Sequence, residues 1–331
     1  MKTSRTIISI LLIYFSLSFA QFDWEWQYST TNEQLNDVYF LNKRIGWVVG
    51  DRGIILHTVN GGKDWYQQYS GVTGKLKAVH FLDENRGWVV GDRAMLSTRD
   101  GGLTWSKYPY RIITDIECLW FIDDSHGWIC GSENIIQKTS DGGTNWDIIH
   151  TSVGKFDDIF FLDEQLGWVH SRDNAGYIYK TENGGYTLQP MSRSRKSFKT
   201  FFFLDAERAW SCGGVVGELN KIFGWIDVSN DGADNWSMLY EEGLMHSVRF
   251  FDDKYGIALG QKNRGPFTDK IYDLFYKTVD GGVSWESCEP GGNAFHFVNR
   301  KIGWVVGNGG MIYKTNTAGG ILNIPSVRNS K

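Results

Sequence analysis

Two sets of polar residues recur through this 331-residue chain at spacings that invite a chemical reading. The first is a run of Asp-type residues, Asn60, Asp100, Asp141, Asn183, Asp231 and Asp280, each just ahead of a glycine. Acidic groups in series could form a catalytic or metal-binding array. Here they return only once per long repeat, so they occupy equivalent places in successive units and cannot converge on one substrate. Ligand density also falls short of a calcium loop, and no Cys/His cluster has metal-ligand spacing. No metal and no cofactor are expected. The second set lies in the segments expected nearest a common axis: Asp37, Glu117 and Asp158, with His246 and Arg249 facing them. Paired carboxylates a few ångströms apart can hydrolyse a glycosidic bond, so a carboxylate-lined central channel is the feature that would support a sialidase-like glycosidase. A water-filled channel explains the same residues without chemistry, and no arginine triad can be placed. No catalytic residue is assigned.

The elements that must position these residues come from internal repetition. A Gly-Trp marker stands at Gly46-Trp47, Gly87-Trp88, Gly127-Trp128 and Gly167-Trp168. It weakens to Ala209-Trp210 and Gly256-Ile257, then returns at Gly303-Trp304. The seven copies are separated by 41, 40, 40, 42, 47 and 47 residues. A second marker follows each by about a dozen residues, as in Thr98-Arg99-Asp100-Gly101-Gly102-Leu103-Thr104-Trp105. Its tryptophans are Trp65, Trp105, Trp146, Trp236 and Trp285, with Leu188 standing in the fourth copy. Four short strand candidates fit each unit, in the second Leu76–Leu82, Gly87–Val90, Ala94–Thr98 and Thr104–Tyr108. The innermost is expected to be apolar on both faces. No helical period is sustained. Many short strands at a period near 40 with one Trp motif per unit predict an all-β, seven-bladed β-propeller.

The ends carry the same message. The seventh repeat stops at Gly319-Gly320 without a fourth strand, while Asp23-Trp24-Glu25-Trp26-Gln27-Tyr28 resembles the fourth strands of other repeats. An N-terminal strand completing the last blade, three plus one, would close the ring and bury its edges. A monomer is therefore expected. In the turns, an Asp or Asn side chain is expected to accept hydrogen bonds from N–H groups one or two residues on, with glycines supplying the backbone angles and the Trp packing against the blade.

These residues resemble the Asp-box (BNR-type) repeat proteins and, among them, the photosystem II stability and assembly factor family of seven-bladed propellers. The resemblance covers Phe22 to Gly320. It implies the propeller fold and a non-enzymatic assembly role, holding a subunit of a membrane protein, and it implies a basic binding surface. Asp-box hairpins also occur in glycosidases, so a carbohydrate-binding protein or sialidase-like enzyme is the alternative.

Partner-binding candidates are the basic run Arg193, Arg195, Lys196 and Lys199 between the fourth and fifth units, and Lys262, Arg264 and Phe267 in the lengthened sixth. The fifth and sixth units both gain residues between their second and third strands, so their loops should rise together on one side of the ring. Residues 1–20 read as a signal peptide, with Lys2 and Arg5 before an apolar run and cleavage near Ala20. Residues 21–320 would form the propeller and 321–331 a short tail. No transmembrane segment is expected in the mature chain, which would be secreted or periplasmic. The net charge of −4, made more acidic by loss of the leader, argues against nucleic acid. An envelope or extracellular protein, or a glycan, is the expected partner. Cys118 and Cys130 fall on adjacent strands, where a disulfide and two buried thiols are both compatible with the sequence.

Overall fold

Each repeat folds as a four-stranded antiparallel meander, and the reason is visible where its first two strands meet. In the computed structural model Phe40, the last residue of a first strand, pairs directly with Gly46, the first of the second. A Cβ on Gly46 would lie 2.4 Å from the Phe40 ring. Glycine at the Gly-Trp marker is therefore a steric requirement: the phenylalanine lies flat across it. The same pairing recurs at Phe81 with Gly87 and at Phe297 with Gly303.

The structure describes residues 24–108, 115–132, 135–150, 155–171, 177–191, 198–217, 221–263 and 271–318. The presumed leader, residues 1–20, and the tail, residues 321–331, lie outside them. Seven sheets of four strands are present among the described residues. Blade one, for example, comprises Leu35–Phe40, Gly46–Gly50, Ile55–Thr58 and Tyr66–Gln68. The first strands, which face the axis, are Leu35–Phe40, Leu76–Phe81, Ile116–Phe121, Phe156–Phe161, Phe198–Phe203, Leu244–Phe250 and Ala294–Phe297. Blade seven is completed by Trp24–Gln27, which pairs with Ile312–Thr315. The chain is an all-β seven-bladed propeller closed by its N-terminal strand.

The strand buried on both faces is the second, not the first. Every residue of Gly46–Gly50 and Gly87–Gly91 is buried, whereas Leu35–Phe40 alternates with half-buried positions. A second strand is sandwiched between neighbouring blades, while a first strand turns one face to the central space. The core is accordingly divided into clusters between blades. One joins Trp47, Val49 and Ile55 of blade one to Leu76, Val79 and Phe81 of blade two. Another joins Trp304, Val306 and Ile312 of blade seven to Val38, Phe40 and Val48 of blade one, sealing the ring.

A contact between repeats explains why the two markers travel together. Trp47 stacks on Phe81 of the next blade with ring centroids 3.4 Å apart, and its indole Nε1 donates to Gly101 O at 3.2 Å. Trp128, Trp168 and Trp210 likewise donate to Gly184, Gly232 and Gly281 of the following blade. Trp304 closes the circle on Gly61 O and stacks on Phe40. Thus the tryptophan of one marker grips the turn of the other in the next repeat.

Within the Asp-box turn the acceptor pattern differs from the sequence expectation. Asn60 Oδ1 accepts from the N–H of Asp64, four residues on, at 3.0 Å, and Asp100 does the same with Thr104 at 2.9 Å. The nearer N–H groups are taken by the preceding hydroxyl: Thr98 Oγ1 accepts from Gly102 N at 2.8 Å and Asp100 N at 3.3 Å. The hydroxyl sits inside the turn, and the carboxylate reaches across its mouth. Trp65, Trp105, Trp146 and Trp285 then meet Phe40, Phe81, Phe121 and Phe250 of their own blades edge to face, and Trp236 meets Phe198.

Cys118 and Cys130 are directly paired across the first two strands of blade three and form a disulfide. Cys212, in the second strand of blade five, is a buried packing residue.

Candidate functional site

The first strands enclose a central cavity of about 610 Å³. Each blade places one side chain from the next-to-last position of its first strand in the wall: Tyr39, His80, Trp120, Phe160, Phe202, Arg249 and His296. Two positions earlier in the strands, Asp37, Cys118, Asp158, Thr200 and Ser247 also line it. The ring is packed: the Tyr39 centroid lies 4.8 Å from both His80 and His296, and Trp120 lies 4.6 Å from Phe160. The wall includes Leu41 and Val298, just past the strand ends, so the cavity runs toward the face that carries the Asp-box turns.

Of the five residues expected around the channel, Asp37, Asp158 and Arg249 are in the wall, and Glu117 and His246 are not. The cause is a β-bulge repeated in the first strands, with register shifts at Leu35/Asp37, Ile116/Cys118, Phe156/Asp158 and Met245/Ser247. A bulge inserts one residue and re-aims its side chain. Glu117 and His246 occupy the extra position. Glu117 accepts from Lys77 Nζ at 2.9 Å, and Lys77 also pairs with Asp92 at 2.9 Å. Burial pushes His246 down to about 4.

The two wall carboxylates are occupied. Asp37 accepts from Val38 N at 2.8 Å and, in the next blade, from Val79 N at 2.9 Å. Asp158 accepts from Ile159 N at 2.9 Å and reaches into blade five for Thr200 Oγ1 at 2.6 Å and Phe201 N at 3.3 Å. Burial raises Asp37 to about 7 and Asp158 to about 6, against the pull of those bonds. They belong to blades one and four, which are not neighbours in the ring. Each stitches its own blade to the next, and the pairing of Glu117 with Asp158 that a glycosidase would need is not formed.

Arg249 is different. Its guanidinium makes no hydrogen bond or ion pair with a described residue, and its neighbour is the Phe251 ring at 5.7 Å. Burial lowers its pKa, but the group remains a cation. His80 and His296, pushed down by burial to about 4 and about 3, are neutral beside it at neutral pH.

The opposite end of the ring carries the lengthened units. The second and third strands of blade five are Ala209–Val216 and Ile222–Ser229, and those of blade six are Gly256–Asn263 and Ile271–Thr278. Each is eight residues long, against five for Gly46–Gly50. The two hairpins stand together, and Ile222 N donates to Asn263 Oδ1 at 3.3 Å across the blade boundary. Val215, Val216 and Phe223 are exposed on the fifth. Of the expected partner residues, Lys199 is exposed and Lys262 pairs with Glu242. Arg193, Arg195, Lys196, Arg264 and Phe267 lie outside the described residues.

One polar cluster was not legible in the sequence. On the Asp-box face, His126 Nδ1 faces Asp123 at 2.9 Å and Nε2 faces Glu164 of blade four at 3.5 Å. Among the described residues these three are the group whose ligand atoms lie close enough to hold a metal ion. Both imidazole nitrogens are directed at carboxylates, however, and the equivalent Arg86 likewise links Asp83 to Asp124 of blade three at 2.6 and 3.2 Å. The arrangement is a polar link between blades. No helix among the described residues is long and apolar enough to cross a membrane.

No curated protein matches the sequence. Among solved structures, YCF48 bound to D1 peptide is 18% identical, superposes with a TM-score of 0.69, and is covered over 97% of its chain by 89% of this one. YCF48 from Cyanidioschyzon merolae gives 20% identity and a TM-score of 0.70, over 98% of its chain and 88% of this one. The GH74 xyloglucanase from Xanthomonas campestris is 12% identical with a TM-score of 0.67, but 89% of this chain spans only 54% of that enzyme. At these identities the likeness establishes the fold. The family model for photosynthesis system II assembly factor YCF48, however, matches the sequence itself over residues 18–109 and 70–193, and on that match the chain belongs to the YCF48-like family of Asp-box propellers.

Proposed function

We propose that this chain is a non-catalytic propeller that binds a peptide segment of an envelope or extracellular protein and holds it during assembly. The observation that carries this reading is the pair of lengthened hairpins in blades five and six. The blade-five hairpin exposes Val215, Val216 and Phe223, apolar surface that folding alone does not require. Insertions in repeat proteins commonly build the binding face. The peptide class follows from likeness to a YCF48 structure whose ligand is a D1 peptide. Assembly-factor membership supports a holding role, and the internally bonded Asp37 and Asp158 weigh against hydrolysis. The leader at residues 1–20, with cleavage near Ala20, would deliver the 21–320 propeller to the periplasm or beyond.

Affinity capture from the native envelope fraction tests this, with Val216→Asp/Phe223→Asp as the paired variant. One membrane-protein subunit retained by the parent chain and lost by the variant is the expected result. An eluate free of specific protein, or one indifferent to the substitutions, would sink the reading.

A further inference from the structure

Six of the seven side chains that ring the axis are aromatic or imidazole, and the seventh is Arg249. Several surface arginines of this molecule meet acids: Arg86 meets Asp83 and Asp124, Arg208 meets Asp205, and Arg300 meets Asp252. Arg249, in the cavity wall, has none among the described residues. Asp37 and Asp158 share that wall, but their oxygens are bonded to backbone and to Thr200. A guanidinium carries five N–H donors in a planar fork shaped for a carboxylate. Arg249 is half-buried and keeps those donors without a protein acceptor in the cavity wall, a position suited to an acceptor brought from outside.

The rest of the cavity describes the remainder of that ligand. Trp120 donates its indole N–H to Phe161 O at 3.0 Å, which leaves its ring, with Phe160 beside it, as an apolar surface on the cavity. His80 and His296 are neutral imidazoles, each able to donate once and accept once, and Tyr39 stands between them. A volume of about 610 Å³ lies in the usual range of small-molecule sites. The hairpin rim stands at the other end of the ring, so this site is independent of the partner-binding reading.

We propose that the central cavity binds a small ring-bearing carboxylate, its carboxylate on Arg249 and its ring against Trp120 and Phe160. A sugar acid and an aromatic acid share that chemistry. Calorimetric titration of the exported chain with galacturonate and with benzoate, each beside its uncharged counterpart galactose or benzamide, separates them. At least one acid should bind with a Kd of about 1 mM or tighter and at least about tenfold better than its neutral counterpart. Tighter binding of galacturonate assigns the sugar acid, and tighter binding of benzoate assigns the aromatic acid. Arg249→Gln should weaken the acid by about ten- to a hundredfold and leave the neutral compound unchanged. No acid partner is orphaned by that change, so the variant should keep its thermal midpoint. Should it unfold instead, diffraction from parent crystals soaked in 4-bromobenzoate still decides, since bromine located in the cavity with the carboxylate on Arg249 supports the site. Binding of neither acid, equal binding by a folded Arg249→Gln chain, or bromine placed elsewhere overturns the proposal.

Discussion

The hydroxyl of Thr98 is 4% exposed and serves three partners in one turn, accepting from Asp100 N and Gly102 N and donating to Asp100 Oδ1. Thr98→Val keeps the shape and strands the buried Gly102 N–H and the part-buried Asp100 N–H, so it should cost about 1–3 kcal/mol. Asp100→Ala removes bonds at the exposed mouth of the turn and should cost less; urea titration of both variants checks the order. Titration at the axis follows from burial. His80 and His296 are held near 4 and 3 in the folded chain, while the unfolded chain takes up protons as pH falls through about 6.5. Their contribution is therefore intact above pH 6.5 and is lost on acidification toward 4. Asp37 and Asp158, raised to about 7 and about 6, act with the opposite sign. Their protonated forms favour the folded chain at low pH, and this stabilisation is lost as pH climbs from about 4 to 7. Replacing His80 and His296 with Asn should lower stability at pH 7 relative to pH 5 by on the order of 1 kcal/mol per histidine, measured by urea unfolding at the two values.

At the scale of strands, the ring is held by a clasp repeated around it: a second-strand tryptophan lies on the next blade's phenylalanine and bonds that blade's turn. Blade two keeps the stack of Trp88 on Phe121 but not the bond to the turn, and blade six has Ile257 at the tryptophan position. There Phe275 stacks on Phe297 of blade seven with centroids 5.8 Å apart. Blade seven lacks an Asp-box tryptophan of its own, and the N-terminal strand supplies one. Trp24 is 6% exposed and meets Phe297 edge to face at 6.2 Å, as Trp65 meets Phe40 at 5.8 Å. Trp24→Ala should accordingly cost about 3–5 kcal/mol, the range for a packed aromatic. Trp26→Ala, two residues along the same strand but 58% exposed, should stay within about 0.5 kcal/mol of the parent. Denaturant unfolding of the pair measures how much of the closure rests on that one ring. Reduction of Cys118–Cys130, which closes a short loop within blade three, should cost about 2–3 kcal/mol, read as a lower thermal midpoint with reductant present.

For the whole molecule, the propeller separates two surfaces: the hairpin rim at one end and the cavity running toward the other. Val216→Asp/Phe223→Asp should abolish partner capture and leave carboxylate binding unchanged, Arg249→Gln should weaken carboxylate binding and leave capture unchanged, and both should keep the thermal midpoint. Much of this plan could be read along the chain. Seven repeats, the missing last strand and its N-terminal replacement are matters of spacing, and spacing is covalent. The joint rise of the two hairpins was legible for the same reason, since added length between paired strands has nowhere to go but outward. Other decisions belong to the folded ring alone. A one-residue bulge sends Asp158 into the cavity and Glu117 out of it, and a row of polar letters does not reveal a bulge. Thr98 takes the near N–H groups in its turn because the two glycines fold them back onto it. The grip of Trp47 on Gly101 spans 54 residues, and pairing of Cys118 with Cys130 depends on strand register. So does the solitude of Arg249. A chain records which residues it has and how far apart they stand along the backbone, but whether a charge in a cavity wall finds a partner is settled only when distant strands are brought side by side.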